Sequence, residues 1–452
     1  MLILNDDARR HFDDLARKIL KLTKPRPPAQ RSQPEPVTRD EREVRVLSAS
    51  DIIPESLRMS LVDFRGKRSG LFFQAGDTSY AVEDEAMELF EKLVALLCRQ
   101  RHLRQAVGPR LLSDALEDWL KGQLEGAVTR EFSDWLFSRA NASLEARTVA
   151  VPIENFQSES PFDFAGVRFD HSVMTKDMFD KVERDWITAK PDLEAEIRSA
   201  SRRHRRWFQG QTCGVVTREA DPDWAATGAA EMVDRALSAI RLFSPSAFVP
   251  GYKSFVGRVG RVLVPGDVTC EVVDGLPACI TNAAADGYAQ TQWFWSDEDR
   301  RRAIRVGLED FERLLLKDAL TELEAAVLRA VELLDDSVCC NELEKRSALA
   351  FTAAESLLVR NTSEPVQVML GLRCGHLTRQ DPDDRMWVDR TIKEAYALRS
   401  GYLHRGRRKI DEKALSDLHC VLVDTLAAVS RLTPSLKTRE KFFEHLDRLI
   451  WS

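Results

Sequence analysis

From residue 298 to the C-terminus the sequence is almost purely helical in period, with apolar residues recurring three and four apart in one segment after another. The segments include RRRAIRVGLEDFERLL, ALTELEAAVLRAVELLDDS, NELEKRSALAFTAAESLLVR, SEPVQVMLGLRCGHLT, the run from Arg385 to His404, DEKALSDLHCVLVDTLAAVSRL and TREKFFEHLDRLIW. Five or six helices of roughly 14 to 20 residues drawn from these segments, joined by short breaks, cover their apolar stripes best against one another, which predicts an antiparallel bundle.

The chain ahead of residue 298 is mixed. Residues 1–22 read as an N-terminal helix, and TKPRPPAQRSQPEPVTRDE, with five prolines in polar company, predicts a flexible linker over 23–42. Residues 43–146 form a small α+β region, mostly helical. EVRVLS, LRMSLVDF, SGLFFQAG and TSYAVE alternate as strands do, with Gly76-Asp77 as a hairpin turn. Helices follow to 146, with Asp84, Ser113 and Thr129 in N-cap regions.

Residues 147–297 predict a mixed α/β region, with RTVAVPIENF, FDFAGVRFD, CGVVTREA and SFVGRVGRVLVPGDVTCEVV as strands and helices over about 175–205 and 221–242. GRVGRV lacks the third glycine and the following helix of a dinucleotide fingerprint, so a turn or bulge is expected there. The fold class is therefore a multidomain α+β chain: N-terminal and middle mixed α/β regions followed by an all-α C-terminal region over 298–452.

A chain of 452 residues with 44% hydrophobic and 31% charged residues has the balance of a globular protein of about three domains. Its net charge of -6 gives no general attraction to polyanions, so nucleic acid would have to be held at a local patch. MLILNDDARR is too short in apolar residues for a signal peptide, and no apolar run approaches the roughly 18 residues of a membrane span; a cytoplasmic protein without membrane contact is expected. The eight cysteines include no C-x-x-C, so free thiols are expected, with no metal site and no cofactor.

One local patch stands out. Residues 385–409 hold eight cations against Asp389 and Glu394, a net +6. Such clusters bind polyanions through counterion release, although the dipole at a solvated helix end also favours cations. Within the patch Arg399 stands five positions before His404. Arginine offers a permanently charged fork that fits a phosphate, and histidine exchanges protons near neutral pH; metal-free cleavage of RNA needs both. DNA lacks the 2'-OH that this chemistry uses.

The spacing alone is weak, because Arg198 with His204 and Arg439 with His445 match it too. Arg439 and His445 read as a solvated helix face. Arg198 and His204 lie in RSASRRHRRWFQG, where Arg202, Arg203, Arg205 and Arg206 precede Trp207. That stretch is either a nucleic-acid contact or a basic helix end packing its tryptophan on the core. Only Arg399 and His404 combine the pair with small residues, Ser400, Gly401 and Gly406, and a basic tail. Five residues along a helix turn the second position by ~140° from the first. The pair then calls for a last turn loosened at Gly401 or Gly406, or for a second copy across a two-fold axis.

YALRSGYLHRGRR, preceded by ALAFTAAESLLV and SEPVQVMLGLRCGHLT, resembles the C-terminal domain of Apea-like HEPN proteins over roughly 319–451. More loosely, RTVAVPIENFQSESPFDFAGVRFD resembles the mixed α/β part that precedes that domain in such bacterial chains. The resemblance implies a dimerising helical bundle with an acidic residue on an early helix and Arg, four to six residues, His on a late one. Many such bundles are metal-independent endoribonucleases of toxin-antitoxin, CRISPR-associated or anti-phage systems. Others only bind RNA or a partner.

Carried over, Arg399 and His404 are the catalytic pair, and Glu355, Arg373, Ser400 and Tyr402 support it. Arg405, Arg407, Arg408 and Lys409 hold the RNA backbone, with Arg202, Arg203, Arg205 and Arg206 as a secondary basic patch. The expected partners are RNA, either tRNA or phage RNA, a second copy of the chain, and a phage-derived trigger or regulatory protein acting through the first 300 residues. The rival expectation is a non-catalytic adaptor. DPDD, residues 381–384, reads as a helix N-cap rather than a metal cluster, and His376 and His419 as lone histidines.

Overall fold

Helix α1 (Asp6–Leu22) opens the first of two compact units, Met1–Thr148 with Thr217–Thr227; Val149–Val216 with Gly228–Ser452 form the second. The structure, a computed structural model, describes residues 6–26, 37–39, 42–44, 59–62, 68–100, 103, 106–172, 176–252, 256–259, 266–273, 276–284, 292–340, 342–405 and 411–451. The side chains of 37–44, 59–69, 266–284 and 401–405 lie outside that description.

In the first unit α1 buries Phe12, Leu15, Ala16 and Ile19, one helical stripe. The strands are β1 (Lys24–Arg26), the hairpin β2 (Val37–Arg39) and β3 (Arg42–Val44), then β4 (Met59–Val62), β5 (Arg68–Ala75) and β6 (Thr78–Glu83). The main sheet runs β1-β6-β5-β4, antiparallel throughout. The expected turn is present: Ala75 pairs with Thr78, and Gly76 takes the left-handed φ of 58°. The linker expected over 23–42 begins as structure instead, since Lys24–Arg26 pair with Ser79–Ala81 at the sheet edge, where Pro25 costs no ladder bond.

Helices α2 (Asp84–Cys98), α3 (Pro109–Leu124) and α4 (Phe132–Ser143) complete this unit, and its core joins Leu71, Phe73 and Val82 of the sheet to Phe90, Trp119 and Phe132 of the helices. The expected caps are corrected here. Asp84 is already the first residue of α2, Ser113 lies inside α3, and α4 starts three residues after Thr129. The N-terminus of α4 is capped from another helix, because Asp13 of α1 is buried and accepts from Ser133 N–H at 2.7 Å and Ser133 Oγ at 2.9 Å. Asp13→Ala is expected to lower stability by about 1–2 kcal/mol, the scale of a lost cap, and Asp13→Asn by less; urea unfolding midpoints check this.

The second unit is built on a five-stranded sheet of order β12-β7-β11-β10-β9. Its strands are β7 (Glu145–Glu154), β9 (Phe162–Phe164), β10 (Val167–Asp170), β11 (Thr212–Ala220) and β12 (Gly257–Arg258), while β8 (Phe156–Ser158) pairs in parallel with β15 (Trp293–Trp295). β13 (Gly266–Val273) and β14 (Leu276–Ala284) form a separate antiparallel hairpin. Of GRVGRV, Gly257 and Arg258 form β12, and residues 260–265 lie outside the described residues.

Helices α5 (Lys176–Ala189) and α6 (Glu194–Phe208) rise between β10 and β11; α7 (Pro222–Arg241) and the short α8 (Pro245–Phe248) follow β11. The described residues from 297 onward are helical or connect helices: α9 (Asp297–Val306), α10 (Leu308–Leu315), α11 (Glu322–Val338), α12 (Leu343–Leu358), α13 (Val366–Thr378), α14 (Pro382–Arg405), α15 (Glu412–Leu432) and α16 (Arg439–Trp451). The segment read as one helix from 300 to 315 is two, broken at Gly307, whose φ of 145° suits only glycine and whose missing side chain lets Ala427 approach. No helix among the described residues is long and apolar enough to cross a membrane.

The core does not break at 297/298, where the sequence suggests a boundary. One apolar cluster runs from Ile153, Phe156 and Phe169 of the strands through Val233, Leu237 and Ile240 of α7 to Phe351, Leu415 and Leu446 of the bundle. Three buried polar links reinforce it. Arg241 of α7 grips Asp335 of α11, with Nε 2.7 Å from Oδ1 and Nη2 against Oδ2. Arg346 of α12 donates to the carbonyls of Ser246 (2.5 Å) and Pro250 (2.9 Å), and its burial pulls it down to about 10. His419 of α15 lies 2.8 Å from the Leu242 carbonyl.

Burial, reinforced by the Arg346 cation, pushes the His419 imidazole down to about 4. In the unfolded chain it titrates near ~6.5, so between ~6.5 and ~4 the unfolded state takes up a proton that the folded state refuses. Stability is expected to fall across that window by about 2–3 kcal/mol as pH drops, and His419→Leu to remove that part of the slope. Unfolding free energies at pH 7 and pH 4.5 measure it.

Candidate functional site

The helix carrying Arg399 begins at DPDD. Asp381 accepts from the backbone N–H of Asp383 (2.8 Å) and Asp384 (3.4 Å), and Pro382 occupies the first helical position, where it sacrifices no bond. From there α14 runs unbroken for 24 residues to Arg405. Its close neighbour is α13, and the approach depends on Gly371, where an added Cβ would lie 2.4 Å from Asp389 Oδ1. The sequence signal for this seam was the glycine pair four apart in GLRCG.

Because α14 continues through Gly401, that residue does not loosen the last turn. Position 404 is therefore turned ~140° from position 399 about the helix axis. Gly406, Arg407, Arg408 and Lys409 lie outside the described residues, as do the side chains of Tyr402, His404 and Arg405.

Arg399 is fixed by two helices at once. Its Nη1 donates to Glu355 Oε1 at 2.5 Å and its Nη2 to Oε2 at 3.4 Å, a forked pair that ties α14 to α12. The guanidinium carbon lies 5.7 Å from the ring centres of both Phe351 and Tyr396, within cation–π range, and those rings meet edge to face at 5.6 Å. Phe351 and Glu355 are four apart on α12, and Tyr396 and Arg399 three apart on α14, so each pair shares a helix face. The Arg399 side chain keeps 20% exposure and that of Glu355 keeps 26%, so the pair is only partly buried. Arg399 Nε is buried and has no hydrogen-bond partner among the described residues. Ser400, next along, is half-buried.

The other residues singled out in the sequence fall elsewhere. Arg373 is 1% exposed, and its fork holds both carboxylate oxygens of Glu364 at 2.7 Å while also donating to the Leu358 carbonyl. It locks the loop between α12 and α13 and stacks on Phe443, 5.0 Å from its ring centre. Arg439 reaches the carbonyls of Ser356 (2.5 Å) and Val359 (3.2 Å), closing the C-terminal end of α12 instead of facing solvent as expected. Phe351, Tyr396 and Glu364 were missed, and only the spacing of Phe351 and Glu355 in one segment hinted at them.

In α6, Arg205 binds Asp180 (2.6 Å) and Glu183 (3.3 Å) of α5. Arg203 donates to Ser199 Oγ (3.2 Å), Arg202 to the Arg198 carbonyl (3.4 Å), and both are exposed, as is Arg206. Trp207 does not pack on the core as one reading required; it is 47% exposed, and Ser201 is the one buried residue of α6. Among the described residues no three or more His, Cys, Asp or Glu side chains gather as metal ligands would, and Cys98, Cys213, Cys339, Cys340, Cys374 and Cys420 are free thiols. No family model, curated protein or solved structure matches this chain.

Proposed function

We propose that the helical region carrying Arg399 and His404 is a HEPN-type endoribonuclease that cleaves RNA without a metal and serves anti-phage or stress defence. The observation behind this reading is the Arg399–Glu355 fork, a partly exposed arginine aimed by a carboxylate and two rings, on the helix that also bears His404. An arginine fixed in this way needs little reorganisation to meet a phosphate.

In the proposed reaction the ribose 2'-oxygen attacks phosphorus as its proton passes to a base. The bond to the 5'-oxygen breaks as that oxygen receives a proton, leaving a 2',3'-cyclic phosphate and a 5'-OH. His404 manages one of these protons, and Arg399 steadies the charge on the phosphoryl oxygens. An unbroken α14 separates the two positions around the helix, so a dimer in which each copy faces the other's pair is the version that fits. Arg405, Arg407, Arg408 and Lys409 hold the RNA backbone in this scheme.

One observation favours the adaptor reading, in which the bundle dimerises and binds RNA or a partner without cutting. Glu355 already neutralises Arg399, and the pair alone suffices to staple α12 to α14. Purified protein incubated with total RNA in EDTA separates the two. The nuclease yields 5'-OH fragments that His404→Ala abolishes; cleavage that needs metal or survives His404→Ala ends that reading, and RNA binding without cleavage supports the adaptor.

A further inference from the structure

A connection between adjacent antiparallel strands needs as few as two residues. Between β10 and β11, which pair Asp170 with Cys213, the chain instead inserts about forty, folded as the α5/α6 hairpin. Each helix packs mainly on the other. Ser201 is the hairpin's one buried residue among those described. Met178, Trp186, Leu193 and Trp207 are 40–48% exposed. Between the helices lies a cavity of about 320 Å³, walled by Met178, Phe179, Val182, Trp186, His204 and Phe208. A two-helix arm with so much uncovered apolar surface lacks a layer.

We propose that the missing layer is the same arm of a second copy, laid antiparallel so that two hairpins close into a four-helix bundle. The charges of the arm select that occupant and direction. Its tip, residues 185–198, carries Asp185, Asp192, Glu194 and Glu196 against Lys190 and Arg198, a net -2. The C-terminal half of α6, which runs down to the base, carries Arg202, Arg203 and Arg206, all exposed. An antiparallel pairing sets each acidic tip beside the other copy's basic base, whereas a parallel one sets like against like. RNA fits the groove less well, because Glu183 lines it and Arg198 and Arg205 are already held by Glu183, Glu194 and Asp180. This pairing does not depend on the nuclease reading.

Sedimentation equilibrium of the full chain tests it. Reversing Arg202, Arg203 and Arg206 to glutamate is expected to weaken self-association at least tenfold. Adding Asp192→Lys and Glu196→Lys to that variant is expected to restore it, since each tip again meets a base of opposite sign. Trp186→Ser tests the apolar part and is expected to weaken association similarly. The proposal is overturned if the wild type does not associate, if the arm variants associate as tightly as the wild type, or if the second reversal fails to rescue. Loss of RNA binding with unchanged mass also overturns it and assigns the arm to nucleic acid.

Discussion

Asp335→Ala is expected to destabilise the second unit by about 3–5 kcal/mol, the cost of leaving a buried charge without its partner. The side chains of Arg241 and Asp335 keep 13% and 7% exposure, and the arginine also donates to the Val256 carbonyl at 3.1 Å. Burial works against the Arg241 charge, but the adjacent carboxylate outweighs it and holds the arginine above its ordinary pKa. Without Asp335 the guanidinium keeps the Val256 carbonyl and only the 13% of its side chain that faces solvent. The double replacement Arg241→Met with Asp335→Leu removes both charges and is expected to cost little or nothing, because no ion is then stranded. Urea unfolding of the three proteins decides it; an Asp335→Ala loss below about 1 kcal/mol would show that water reaches the site.

On the proposed nuclease reading, Arg399→Ala is expected to lower RNA cleavage by about 10²–10³-fold, the scale of removing one fixed donor from a developing negative charge. Arg399→Lys keeps the charge but not the fork and is expected to recover only part of it. Exchanging the pair, Glu355→Arg with Arg399→Glu, rebuilds a link between α12 and α14 but moves the cation to the other helix. If the arginine acts on phosphate, the exchange restores the unfolding midpoint and leaves cleavage lost. If the pair is only a staple, the exchange restores both, and Arg399 drops out of the mechanism.

The helices of the C-terminal region were readable because each announces itself locally, through its apolar period and, at DPDD, through its cap. The caps of the first unit were not, since Asp13 reaches α4 from 120 positions away in sequence. The same division runs through the site. Arg399 and Glu355 were both picked out, yet Phe351 and Tyr396 look in the sequence like any aromatic residues of a core stripe. Arg373 and Arg399 look alike too, and only packing separates the arginine sealed onto Glu364 from the one that keeps an open side. Trp207 shows the reverse error, because a tryptophan at a basic helix end reads as an anchor until the helix proves to have no core beneath it.

By itself, then, the sequence determined what local forces determine: which stretches are helical in period, where Gly76 turns the chain, and where charge accumulates. The tertiary structure decided what depends on residues far apart in the chain. It carried one core across position 297, turned Lys24–Arg26 from linker into sheet edge, and paired Arg399 with Glu355 and Arg241 with Asp335. The physical reason is range. Helical period and turn chemistry act over a few residues, whereas burial and ion pairing act between any two side chains that folding brings into contact, and contact is not written in spacing.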